Sequence, residues 1–113
     1  MITVEMLKKF GANTEEGLNR CMNDENFYIM LVQTTLNLDQ INALENQISE
    51  NDLDAAFETA HALKGVYGNL SLTPLYKTVC EITEYLRKRQ KVDYSSMVNE
   101  LKNGMKELID MAN

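Results

Sequence analysis

Apolar residues recur every three or four positions along most of the chain, the spacing of helices with one buried face. Asparagine and aspartate residues separate the apolar runs and suit helix starts. The long runs are residues 24–38, 39–48, 53–70, 73–89 and 93–108, preceded by short ones at 3–11 and 13–22. Whether residues 24–50 form one kinked helix or two is open. The pattern predicts an all-α fold: an antiparallel up-down four-helix bundle with one or two short N-terminal helices.

Capping residues give the expected helix boundaries. Gly11 is expected to end the first helix, and Thr73 to cap a helix with Pro74 in its first position. The other predicted helix starts are Thr3, Asn13 with Thr14, Asp24, Asp39, Asn51 with Asp52, and Asp93. With no linker and 113 residues, we expect residues 1–113 to form a single domain.

Composition narrows the class of protein. Apolar residues make up 44% of the chain and charged residues 25%, as in ordinary globular proteins. No run is long enough to span a membrane and no signal core is visible, so we expect a cytoplasmic protein. Cys21 and Cys80 lie apart without metal-ligand spacing, and we expect buried thiols rather than a disulfide.

The charge distribution argues against nucleic acid as a ligand. The net charge is −6, whereas binding to phosphates needs clustered Lys and Arg. Residues 1–60 hold 11 acidic and 3 basic side chains, while residues 61–113 hold 6 acidic and 8 basic ones. The basic excess therefore begins at His61, the single histidine.

His61 is the candidate for chemistry. On a helix it lies about 125° from the apolar stripe of its segment and therefore faces solvent. Lys64, Gly65 and Gly68 lie on the neighbouring turns. A glycine inside a helix costs about 1 kcal/mol relative to alanine, so two of them suggest that another molecule approaches closely. The alternative is that the helix frays here and tolerates them.

These residue types suit phosphoryl transfer. A ring nitrogen of an uncharged imidazole can attack phosphorus, and Lys64 can balance charge on the transferring group. No nucleotide-binding motif or kinase site is present, so the phosphoryl donor and any Mg²⁺ must belong to a partner. A single histidine cannot supply the two Glu-x-x-His motifs of a di-iron helical bundle, and we expect neither metal nor cofactor.

The next helix supplies two candidate supporting residues. In an antiparallel pair, Thr83 should lie at the height of His61, with Arg87 one turn further. Thr83 would then hydrogen-bond the imidazole and Arg87 would add positive potential. The alternative is that both side chains only cover the solvated face.

The segment His61-Ala62-Leu63-Lys64-Gly65, preceded by Ala60 and followed by Asn69-Leu70, resembles the signature of histidine-containing phosphotransfer (HPt) domains. A looser resemblance extends from Asp24 to Arg87. It implies an antiparallel four-helix bundle in which His61 is phosphorylated while Lys64 and Gly65 assist charge balance and access. The chain departs from the family at Ser71, where a glycine is common, and at Thr83, where glutamine is common.

The resemblance also implies the partners. Such a protein takes a phosphoryl group from the aspartate of one response-regulator receiver domain and passes it to another, or relays for a hybrid sensor histidine kinase. We expect a monomer that binds no nucleic acid and no membrane. Two alternatives stay open: an adaptor that binds receiver domains without being phosphorylated, and a structural module that dimerises.

Overall fold

The chain is entirely helical in the computed structural model, which describes all 113 residues. The all-α prediction is confirmed. The helices are α1 (Val4–Phe10), α2 (Thr14–Arg20), α3 (Glu25–Gln33), α4 (Asp39–Ser49), α5 (Leu53–Asn69), α6 (Thr73–Arg87) and α7 (Ser95–Ala112). None of them has the length and hydrophobicity that a bilayer span requires.

The four longest helices share one core. Each of α4, α5, α6 and α7 contacts the next, and α7 also contacts α4, while α1 packs on α7 and α2 joins α1 to α3. The apolar stripe predicted for α5 is buried in this core, as expected. Its members are Ala56, Ala60, Leu63, Tyr67 and Leu70. The opposite side of α5 is therefore left for solvent.

Residues 24–50 form two helices, which answers the question left open by the sequence. The hydroxyls of Thr34 and Thr35 donate to the carbonyls of Leu31 and Val32, at 2.6 and 2.7 Å, at the end of α3. Such local bonds compete with the continuing helix. With α3 separate from α4, the chain has three short N-terminal helices rather than the predicted one or two.

Four of the predicted N-caps are confirmed by side-chain bonds to the first turn: Thr3, Asn13, Asp24 and Asp52. The predictions for Asp39, Thr73 and Asp93 are wrong. Asp39 and Thr73 are already the first residues of α4 and α6. Asp93 lies two residues before α7 and its carboxylate accepts from the Ser95 N–H at 3.0 Å.

Long-range hydrogen bonds attach the N-terminal helices to the rest of the molecule. The Tyr28 hydroxyl donates to the Leu70 carbonyl at 2.9 Å, and the Asn13 N–H donates to the Ser71 carbonyl at 2.9 Å. Both bonds end at the connection between α5 and α6. The helices α2 and α3 are thereby brought beside the C-terminal half of α5.

Neither cysteine is paired. Cys21 is buried, as predicted, whereas Cys80 on α6 is only partly buried.

Candidate functional site

His61 lies in the middle of α5 with its side chain exposed. Beside it is a polar groove of about 370 Å³, which we call the His61 groove. The structure brings together there four of the residues predicted from the sequence: His61, Lys64, Gly65 and Gly68. The remaining lining residues are Glu16, Arg20, Asn69, Ser71, Thr73 and Tyr76. The groove is therefore built from α5, the start of α6 and the short helix α2.

The two glycines of the groove have different surroundings. A β-carbon built at Gly65 would find nothing within 4 Å, so the backbone there is open to another molecule. A β-carbon at Gly68 would lie 2.9 Å from Cε1 of Tyr76. Gly68 therefore allows the Tyr76 ring of α6 to pack closely on α5, whereas only Gly65 leaves free space.

Two cations line the groove, and they differ in their partners. Arg20 forms an ion pair with Glu16 at 3.3 Å and donates to the Asn69 side chain at 3.5 Å. Lys64 takes part in none of the ion pairs of the chain. Lys64 is therefore the cation free to meet an anionic group near His61.

Phe57 is the neighbour of His61 that the sequence analysis missed. The Phe57 and imidazole rings stack, with centroids 5.7 Å apart and planes inclined by 21°. The guanidinium groups of Arg87 and Arg89 lie 5.3 and 5.0 Å from the Phe57 centroid. The spacing of four residues between Phe57 and His61 indicates this contact in the sequence, because residues four apart are neighbours on a helix surface.

Thr83 does not support His61. Gly68 faces Tyr76 and Phe57 faces Arg87, so Thr83 lies at the predicted height opposite His61. However, Thr83 is fully buried, and its hydroxyl donates to the Val79 carbonyl at 2.6 Å. The predicted hydrogen bond to the imidazole is therefore wrong, because α6 turns this position into the core.

Arg87 reaches the site indirectly. Its guanidinium lies over Phe57 and its Nε is 3.3 Å from Oε1 of Glu84, one turn back on α6. The predicted positive potential of Arg87 at His61 stays a prediction, and Glu84 lies beside this cation as its partner. Arg20 and Tyr76 are further residues of the groove that the sequence analysis did not single out. No local pattern connects Arg20 to His61, since α2 is brought there by tertiary packing.

One of three comparisons with known proteins identifies a family. The model of the Hpt domain family matches residues 34–111, which include α4 to α6, α7 except for its last residue, and His61. No curated protein and no solved structure matches the chain. Because the match covers well over half of the residues, the chain belongs to the Hpt domain family, whose function is histidine phosphotransfer in phosphorelays.

Proposed function

We propose that His61 carries the phosphoryl group, taking it from a receiver-domain aspartate or a sensor kinase and passing it to a second receiver domain. The observation that carries this proposal is the exposed imidazole beside the unpaired Lys64 and the open backbone of Gly65. His61 is also the single histidine of the chain. Within a family of histidine phosphotransfer domains, it is the one side chain that can hold the group.

The transfer step uses the unprotonated ring nitrogen of His61 as nucleophile. Its lone pair forms the N–P bond while the P–O bond to the donor aspartate breaks, and the aspartate leaves as a carboxylate with the bonding electrons. The other ring nitrogen keeps its proton, so the product is a phosphorylated imidazolium. The return step to a second aspartate runs the same bond changes in reverse.

Lys64 and Gly65 have distinct parts in this step. The ammonium of Lys64, one turn from His61, balances charge on the phosphoryl oxygens as they move between the two proteins. At Gly65, the absence of a side chain lets the partner surface approach the helix backbone. We propose that Mg²⁺ is supplied by the receiver domain and that this chain contributes no cofactor.

The ring of contacts among α4, α5, α6 and α7 supports an antiparallel four-helix bundle as the scaffold. Helices α1 to α3, outside the residues matched by the family model, pack on this scaffold, and α2 supplies Arg20 to the groove. This supports a single functional domain over residues 1–113. We propose that it acts as a monomer in the cytoplasm.

The test is transfer of labelled phosphate from a phosphorylated receiver domain to the native chain and to His61→Gln. We expect label on the native chain that is labile in acid and stable in alkali, and none on His61→Gln. Glu58→Gln is the matched control, since it changes an exposed neighbour on α5 and keeps the histidine. Receiver domains that bind the native chain without labelling it would identify an adaptor and overturn the proposal.

A further inference from the structure

The orientation of the His61 ring is restricted by Phe57. An exposed histidine on a helix ordinarily exchanges between side-chain rotamers. Here the imidazole lies against the Phe57 ring, with the centroids 5.7 Å apart and the planes within 21°. In this arrangement the ring nitrogens lie at the edge of a stack, and rotation of the imidazole would lose the contact.

Phe57 is itself in contact with two arginines, one at the end of α6 and one two residues beyond it. The guanidinium carbons of Arg87 and Arg89 lie 5.3 and 5.0 Å from the centre of its ring. Arg89 is anchored further by Nε, 2.7 Å from Oδ1 of Asp54, and by a bond to the Leu86 carbonyl at 2.6 Å. Phe57 is therefore held by side chains from α6 and from the segment that follows it.

The cap at the end of α6 places Arg89 next to Phe57. Arg89 has φ of +52°, in the left-handed region that residues other than glycine seldom occupy. This conformation belongs to the C-terminal cap of α6, in which the Arg89 N–H donates to the Leu86 carbonyl at 2.9 Å and the Gln90 N–H donates to the Tyr85 carbonyl at 3.0 Å. The turn ends the helix where the Arg89 side chain can lie over Phe57 and reach Asp54.

The charges of this cluster nearly cancel. Arg87 pairs with Glu84 and Arg89 pairs with Asp54, so two cations face two anions at the surface. A cluster of this composition attracts an anionic partner only weakly. Its contribution to His61 is therefore one of orientation rather than of electrostatic attraction.

We propose that Phe57, clamped by Arg87 and Arg89, is a positioning residue that holds the imidazole of His61 in the orientation for attack on phosphorus. The inference rests on the proposed function of His61. Fixing a nucleophile before the encounter removes rotational freedom that the transfer step would otherwise have to remove. Loss of the stack should slow transfer without weakening the binding of a partner.

Phe57→Leu and Phe57→Tyr form the matched pair of variants. Leucine keeps apolar bulk but removes the flat ring, while tyrosine keeps the ring. Each is compared with the native chain in phosphorylation by phosphoramidate, whose P–N bond breaks and releases ammonia, and by a phosphorylated receiver domain. We expect Phe57→Leu to lower the rate by about tenfold with both donors at unchanged KM for the receiver, and Phe57→Tyr to restore it.

The stack has its own readout, independent of transfer. The proton resonances of the single histidine should carry a ring-current shift that Phe57→Leu removes, Phe57→Tyr keeps and Arg89→Gln reduces. The Arg89→Gln variant removes one of the two arginine contacts to Phe57 and changes no core residue. It can therefore replace Phe57→Leu in this measurement if that variant is poorly folded.

Four results would decide against the proposal or its basis. Native rates in Phe57→Leu would overturn the positioning role, as would a histidine ring-current shift unchanged by that variant. A raised receiver KM at normal rate with phosphoramidate would assign Phe57 to docking instead. A native chain that takes label from neither donor would refute the proposed function itself, and the positioning role with it.

Discussion

The ring of Tyr76 lies directly on Gly68, where a β-carbon would come within 2.9 Å of Cε1 of the tyrosine. Gly68 thus serves the contact between α5 and α6. Gly65, less than one turn earlier, has nothing within 4 Å of the same position and serves no contact within the chain. Although the sequence presents the two glycines alike, only Gly65 has the surroundings expected of a residue that admits a partner.

Gly65→Ala should therefore separate stability from function. The added methyl group meets no atom of this chain, and alanine favours the helix by about 1 kcal/mol over glycine. We expect the free energy of unfolding in urea to rise by about that amount. Transfer from a phosphorylated receiver should slow by about tenfold, because the methyl group displaces the partner from its productive position. Asn103→Ala, an exposed change on α7, should leave transfer unaltered. Equal transfer rates for both variants would show that Gly65 is not needed for access.

The Thr83→Val variant tests whether the buried Thr83 takes any part in phosphoryl transfer. Its hydroxyl donates to the Val79 carbonyl and makes no bond to His61. Valine keeps the shape of the side chain, so we expect an unchanged transfer rate and a stability change of about 1 kcal/mol or less. Transfer kinetics beside a urea titration provide the check. A large loss of transfer with unchanged stability would restore Thr83 to a functional role.

Ser71 has a strained backbone conformation and a side chain that donates a hydrogen bond. Its φ is +55°, in the left-handed region, while its hydroxyl donates to Glu16 at 2.9 Å. Ser71→Ala loses the bond and keeps the strain, whereas Ser71→Gly loses the bond and relieves a strain of about 1 kcal/mol. We expect the glycine variant to be more stable than the alanine variant by about that amount. If the two variants unfold at the same urea concentration and their free energies of unfolding fall equally steeply with urea, the strain is negligible.

The buried Tyr28 makes the free energy of unfolding depend on pH at alkaline pH. Burial, assisted by the nearby Cys21 thiolate charge, raises the pKa of Tyr28 from 10.0 to about 12. Because the folded state favours the protonated phenol, this stabilisation is complete below pH 10 and is lost as the pH rises toward 12. Burial raises the pKa of Tyr67 to about 12 as well, so both tyrosines contribute to the decline.

Tyr28→Phe should separate the contribution of Tyr28 from that of Tyr67. At pH 8 the variant should be less stable by about 1 kcal/mol, because the bond to the Leu70 carbonyl is lost. Between pH 10 and 12 its stability should fall less steeply than that of the native chain. Urea titrations across this range provide the measurement, and parallel curves would contradict the assignment to Tyr28.

The spacing of apolar residues predicts the structural features that depend on a single helix. The buried stripe of α5 and the exposure of His61 follow from its own sequence. The rise per residue of a helix predicts that Thr83 lies level with His61 along the pair of helices. The face of α6 on which Thr83 lies is predicted wrongly, although its position one turn from the buried Val79 indicates the core side. The arrival of Arg20 at the groove depends on contacts between distant segments, which no local pattern encodes.

The bond between the Met1 amine and the Ala112 carbonyl, at 2.7 Å, joins residues 111 positions apart. In contrast, α5 and α6 are consecutive and joined by a short connection, so their pairing closes only a small loop. Local pairings generally form before distant ones. We therefore expect the hairpin that carries His61 to assemble early in folding. The N-terminal segment can complete its contacts only after α7 has left the ribosome.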